Sequence, residues 1–124
     1  MITQVKNLTI DQLAVCINTP YTSFIHFELF LPIDNSISLT DYKKRFKQIT
    51  IPVVSLFNGC RAIETASSWE VDQILGDTIT AVVSCHTYSD ILLKNISLIT
   101  TLIEDVGKDS LLMVINERPY LVSI

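Results

Sequence analysis

The sequence alternates between short runs rich in β-branched and aromatic residues and segments with helical spacing of apolar residues, and this alternation constrains the fold most. The strand-like runs cover residues 24–31, 53–57, 79–85, 111–115 and 120–124. Strands that alternate with helices favour a parallel sheet, because parallel neighbours need a crossover connection. We therefore predict an α/β fold with a mixed, mostly parallel sheet of about five strands flanked by helices, ending in an antiparallel hairpin.

N-terminal capping patterns indicate where the first two helices begin. Thr9, followed three residues later by Gln12, has the pattern of a capping box, and apolar residues follow at helical spacing up to Ile17. A second helix is predicted to begin near Ser38, with Asp41 three residues further on. Its apolar stripe consists of Leu39, Tyr42, Phe46 and Ile49.

The longest predicted helix runs from a capping box at Thr87 and Asp90 to Gly107. Its apolar residues fall within about 160° of arc, which predicts a broad buried face. Asn95 lies inside that arc. Because an unpaired buried amide costs about 1–3 kcal/mol, we expect Asn95 to be hydrogen-bonded to a neighbouring element or to lie at an interface. Two shorter helices are predicted before it, over residues 60–66 and 69–75.

The composition predicts one globular domain over residues 1–124. With 48% apolar and 18% charged residues, a chain of this length can bury an ordinary core. The N-terminal residues lack the basic and apolar regions of a signal peptide, and no apolar stretch reaches the ~18 residues that a membrane span needs. We therefore expect a cytoplasmic protein without membrane contact.

Cysteine usage favours a reducing compartment. The chain has three cysteines, Cys16, Cys60 and Cys85, without C-x-x-C spacing, so we expect neither a disulfide framework nor a zinc ribbon. The two histidines, His26 and His86, form no short-spaced pair of metal ligands. The sequence therefore predicts neither a metal ion nor another cofactor.

Charge is divided unevenly along the chain. Residues 1–62 carry six basic and four acidic side chains, whereas residues 63–124 carry three basic and nine acidic ones, so the halves have formal charges of +2 and −6. Nucleic-acid binding is disfavoured because it usually needs a wide positive field. Here the basic residues concentrate in one short patch, at Lys43, Lys44, Arg45 and Lys47.

The acidic C-terminal half indicates a surface for a basic partner. Glu104, Asp105 and Asp109 cluster at the end of the longest predicted helix, where negative charge opposes the helix dipole unless a cation faces it. We therefore first interpret the chain as a non-catalytic, acidic bacterial immunity- or inhibitor-type protein that neutralises a basic toxin or nuclease. Further candidate contacts for that partner are Trp69, Glu70 and Asp72.

The alternative is a small thiol-dependent enzyme. If the predicted strands 53–57 and 79–85 are parallel neighbours, Cys60 and His86 follow their C-terminal ends at one edge of the sheet. A helix N-terminus and Arg61 would favour the thiolate form of Cys60, and His86 could act as its base.

Two other features leave hypotheses open. His26 and Glu28 share one face of strand 24–31, so they could form an acid–base couple or be the polar side of an amphipathic strand. The last strand, 120–124, has no charged side chain to protect a sheet edge. Homodimer formation through the terminal hairpin is therefore a further hypothesis.

Overall fold

The computed structural model describes residues 5–18, 23–33, 38–57, 59–66 and 79–124. Within these ranges the chain forms one six-stranded mixed sheet with the strand order β1-β6-β5-β2-β4-β3, together with four helices. β1 pairs with β6 in parallel, and the other four pairings are antiparallel. The elements are β1 (Lys6–Thr9), α1 (Ile10–Ile17), β2 (Phe24–Ile33), α2 (Leu39–Leu56), β3 (Cys60–Ala66), β4 (Ile79–Tyr88), α3 (Ser89–Lys94), α4 (Ser97–Val106), β5 (Ser110–Ile115) and β6 (Arg118–Ser123).

The α/β class is confirmed, but the prediction of a mostly parallel sheet of five strands is wrong. Residues 53–57, predicted as a strand, are the last turn of α2 and the residue that caps it. Cys60–Ala66, predicted as a helix, is strand β3 and pairs with β4. Because the predicted strand is helical and the predicted helix is a strand, the expected parallel crossover disappears and antiparallel pairings dominate the sheet.

Packing explains why the β-branched end of α2 is helical. Tyr42, Ile49 and Val53 are buried, and Phe46 packs against the same core. Their spacing of three or four residues places them on one side of a helix, so continuing the helix buries Val53. This tertiary contact outweighs the weak strand preference of the Val53–Val54 pair. Pro52 lies on the exposed side of α2.

The predicted starts of the first two helices are confirmed. The Thr9 hydroxyl accepts from the Gln12 backbone N–H at 3.2 Å, and the Gln12 side chain accepts from the Thr9 N–H at 2.9 Å. Ser38 caps α2 by accepting from the Asp41 N–H at 3.2 Å. These bonds satisfy backbone donors that have no partner within a helix. None of the helices in the described ranges has the length and apolar character needed to cross a bilayer.

The longest predicted helix is divided in the structure. β4 continues through Tyr88, so Thr87 is a buried strand residue and not a helix cap. α3 and α4 then follow, with a turn at Asn95, whose side-chain amide donates to the Ile91 carbonyl of α3 at 2.9 Å. The predicted stop is confirmed, because Gly107 has the left-handed conformation (φ 66°) at the end of α4.

Side chains alternate across the sheet, so each strand presents every second residue to the core. The odd-numbered residues of β2 are buried, and so are Ala81, Val83 and Cys85 of β4. The helices bury their apolar side chains in this same cluster. The intervening residues face the other side, which we call the outer face. Around the middle of the sheet, this face includes Phe24, His26, Glu28, Arg61, Ser84, His86 and Tyr88.

The predicted C-terminal hairpin is confirmed. Asn116 and Glu117 connect β5 to β6 with φ angles of 48° and 70°, the positive values that a two-residue hairpin turn requires. β1 pairs with the opposite edge of β6 over Tyr120–Ser123. The bare edge that motivated the hypothesis of a hairpin dimer is thus occupied within the chain, and that dimer stays a prediction.

We expect Leu29→Ala to lower the free energy of unfolding by about 2–5 kcal/mol, because Leu29 is 1% exposed and its loss leaves a cavity beneath the sheet. Leu39→Ala removes the same atoms from a side chain that is 68% exposed, and should change the stability by less than about 0.5 kcal/mol. Urea denaturation of both variants measures the difference. Equal effects would contradict the burial of Leu29 in the core.

Candidate functional site

A row of polar side chains crosses three strands on the outer face. In the strand register, Ser84 of β4 lies opposite Glu28 of β2 on one side and opposite Arg61 of β3 on the other. Glu28 and Ser84 are half-buried, and Arg61 is exposed. The row therefore places a hydroxyl between a carboxylate and a guanidinium, with neighbouring Cβ atoms about 5 Å apart.

The imidazole of His26 contacts the hydroxyl of Ser84. The distance from His26 Nε2 to Ser84 Oγ is 2.6 Å. Where the ring proton is on Nδ1, Nε2 accepts the hydrogen bond from the Ser84 hydroxyl. Asn116 of the hairpin turn holds the backbone of His26 at both ends: its side-chain oxygen accepts from the His26 N–H at 3.0 Å, and its N–H donates to the His26 carbonyl at 2.8 Å.

Aromatic rings adjoin this pair. The rings of His26 and His86 stack with centroids 4.4 Å apart and planes 16° apart. His86 also stacks on Phe24 at 6.0 Å, and Phe24 meets Tyr88 edge to face at 5.2 Å. We call Phe24, His86 and Tyr88 the aromatic ledge. The aromatic ledge lies beside the polar row and extends along β2 and β4.

This arrangement has the parts of a nucleophilic site. A serine hydroxyl is a weak nucleophile unless a base removes its proton, and His26 lies at the distance that this transfer requires. Glu28, two residues along the same face, supplies negative charge near the imidazolium that would form. Arg61, opposite Ser84 in the strand register, places a positively charged residue on the same face.

The cysteines disprove both the predicted absence of disulfides and the thiol-dependent alternative. Cys60 and Cys85 lie directly opposite in the β3–β4 pair, with Cα atoms 4.1 Å apart, and form a disulfide. Cys60 therefore has no thiol to ionise. His86 is the next residue after Cys85 in β4 and points to the outer face, away from the disulfide. Cys16 is free and exposed in α1.

The acidic residues at the end of α4 lie next to a backbone carbonyl that bonds a cation of the same chain. Glu104 and Asp105 are exposed in the last turn, and Asp109 is exposed after Gly107. The Arg45 guanidinium, from the basic patch of α2, donates a hydrogen bond to the Asp105 carbonyl. A cation at this position offsets the negative end of the helix dipole, and its bond is to the backbone and not to a carboxylate. Trp69, Glu70 and Asp72 lie outside the described residues, so the acidic partner surface stays a prediction.

No group of three or more His, Cys, Asp or Glu side chains in the described ranges is arranged to hold a metal ion. His26 and His86 are neighbours, but one imidazole nitrogen of His26 is already engaged by Ser84. The expectation that the protein uses neither a metal ion nor another cofactor stays a prediction.

No protein-family model and no curated protein sequence matches the chain. A solved structure that it resembles is a phage SAM lyase in complex with S-methyl-5′-thioadenosine. The two share 14% sequence identity and a TM-score of 0.47, over 82% of this chain and 90% of that chain. This finding contradicts the interpretation of the chain as an immunity protein, because the solved structure is an enzyme. At this identity and TM-score, the likeness assigns neither a substrate nor a catalytic residue.

Sequence reasoning found His26 and Glu28 but missed Ser84. The alternation of β4 puts Ser84 and His86 on one face, and this signal was present in the sequence once the strand was extended to Tyr88. The sequence did not indicate that β2 pairs with β4 and brings His26 to Ser84, because these two strands are separated along the chain by α2 and β3.

Unreduced native protein should show one reactive thiol per chain, because the disulfide protects Cys60 and Cys85 and leaves Cys16 free. Labelling with iodoacetamide followed by mass spectrometry counts the thiols. Reduction in denaturant should raise the count to all three cysteines of the chain. The Cys16→Ser variant should show no thiol before reduction, and three labelled cysteines in unreduced wild-type protein would contradict the disulfide.

Proposed function

We propose that the protein is an enzyme that transfers an acyl group through Ser84, with His26 as the general base. The observation that carries this proposal is the 2.6 Å contact between His26 Nε2 and Ser84 Oγ on the outer face of the sheet. A hydroxyl in this contact can lose its proton as it attacks a carbonyl carbon, which is the activation that an ordinary surface serine lacks.

The reaction follows from the two groups in contact. Ser84 Oγ attacks the carbonyl carbon of an ester, and its proton passes to His26 Nε2. The carbon–oxygen bond to the leaving group breaks, the alcohol leaves with that proton, and an acyl-Ser84 remains. Water then attacks the acyl carbon and gives one proton to His26. His26 returns this proton to Ser84 Oγ as the carboxylic acid departs.

Neighbouring charges support each stage of this cycle. Arg61 lies opposite Ser84 and stabilises the negative oxygen of the tetrahedral intermediate. Glu28 lies opposite Ser84 on the other side and places a carboxylate on the face where His26 accepts the proton during the reaction. Both residues come from strands directly hydrogen-bonded to β4, so the sheet fixes their backbone positions beside the nucleophile.

The base is held in place by contacts that do not involve the substrate. Asn116 bonds both the N–H and the carbonyl of His26, and the His86 ring stacks on the His26 ring. His86 and Asn116 are thus positioning residues. A fixed imidazole lowers the entropic cost of reaching the reactive geometry.

A fluorophosphonate probe tests the proposal, because it phosphonylates activated serines. We expect labelling at Ser84, located by mass spectrometry, and no labelling in Ser84→Ala. His26→Gln should slow labelling by at least about 100-fold, since it removes the general base. Ser55→Ala is the matched control: Ser55 is an exposed serine of α2, and its loss should leave the rate unchanged.

Two results would overturn this function. One is a probe that spreads over exposed serines without preference for Ser84. The other is a His26→Gln variant that reacts as fast as the wild-type protein while its circular dichroism spectrum shows an intact fold. Either result would mean that the His26–Ser84 contact only joins two strands.

A further inference from the structure

Two rings of the aromatic ledge are largely exposed. Phe24 is 61% exposed and Tyr88 is 49% exposed. Both lie on the outer face, whereas the core side of the same strands is filled by residues such as Ile25 and Cys85. Thr80 and Val82 are buried further along this face, but at its Phe24–Tyr88 end the face is open, where an antiparallel sheet normally presents polar side chains, so two exposed rings there form a surface that a ligand could cover.

The ledge lies in line with the proposed nucleophile. Phe24 pairs with Tyr88 at the end of the β2–β4 ladder, His26 pairs with His86 in the next row of this face, and the row after that contains Ser84. Rows on one face of a strand are about 7 Å apart, so Ser84 lies about 7 Å from His86 and about 13 Å from Tyr88 along β4.

The ring contacts show that this surface already accepts flat groups. His86 lies nearly parallel to two rings, those of His26 and Phe24, with interplanar angles of 16° and 17°. Aromatic pairs in such arrangements are favourable beyond the area that they bury. A planar group of a ligand can therefore extend the same series of contacts at the exposed rings of Phe24 and Tyr88.

We infer that the aromatic ledge binds a flat aromatic ring of the substrate. This inference rests on the proposed function, and it defines the substrate class: acyl compounds whose aromatic group lies about 7–13 Å from the reacting carbonyl. Arg61, on the far side of Ser84 from β2, is available to an anionic oxygen at the reacting end of the same molecule. Ring recognition and chemistry are thus arranged along one pair of strands.

The first arm of the test compares two fluorophosphonates of equal length, one ending in a phenyl ring and one in an unbranched alkyl chain. The wild-type protein should react faster with the aromatic probe at Ser84. Phe24→Leu should lower the ratio of the aromatic to the alkyl rate by about three- to tenfold, and Phe24→Tyr, which keeps a ring, should preserve it. Ile63→Leu is the matched control, because Ile63 is an exposed apolar residue that contributes no ring.

A purely structural role of Phe24 would lower both rates equally and leave their ratio unchanged, which would overturn the inference. The inference would also be overturned if the wild-type protein reacted equally fast with both probes. Both results are distinct from failure of the proposed function, which would appear as no labelling of Ser84 by either probe.

The second arm measures ring binding without chemistry. Titration of 15N-labelled protein with 4-phenylbutyrate should shift the backbone amide signals of Phe24, His86 and Tyr88. Hexanoate, which has the carboxylate and an alkyl chain but no ring, should leave these signals in place. These shifts would support the aromatic ledge even if Ser84 were never labelled, and their absence would overturn it even if Ser84 were reactive.

Discussion

The antiparallel pairing of β2 with β4 is the interaction on which the rest of the structure depends. It includes all ten residues of β2, and it joins segments that α2 and β3 separate along the chain. On one face, the pairing brings Phe27, Leu29 and Val83 into the core. On the other face, the same register puts His26 beside His86 and Glu28 opposite Ser84. Core and candidate site are therefore two consequences of one set of backbone hydrogen bonds.

The disulfide and the site share this dependence. Cys60 and Cys85 lie opposite each other on the core side, and the residues that follow and precede them, Arg61 and Ser84, lie opposite each other on the outer side. Because successive side chains point to opposite faces, the cross-link and the polar row are separated by the thickness of the sheet. The disulfide thus ties edge strand β3, which carries the guanidinium, to the strand that carries the hydroxyl.

Local structure was predictable wherever it depends on a few neighbouring residues. The caps at Thr9 and Ser38, the left-handed Gly107 and the terminal hairpin were all found from the sequence, because each depends on contacts within about four residues. The exchanged assignments at 53–57 and Cys60–Ala66 depended instead on burial. Val53 completes a helical stripe only when a sheet is present to cover it.

The sequence by itself determined the α/β class, the starts of α1 and α2, the end of α4 and the shared face of His26 and Glu28, because period and capping are properties of adjacent residues. Only the tertiary structure decided the antiparallel strand order, the Cys60–Cys85 disulfide and the contact of His26 with Ser84. The disulfide and the histidine–serine contact join residues at least 25 positions apart, and strand register over such distances is set by the packing of the whole core and not by any local pattern.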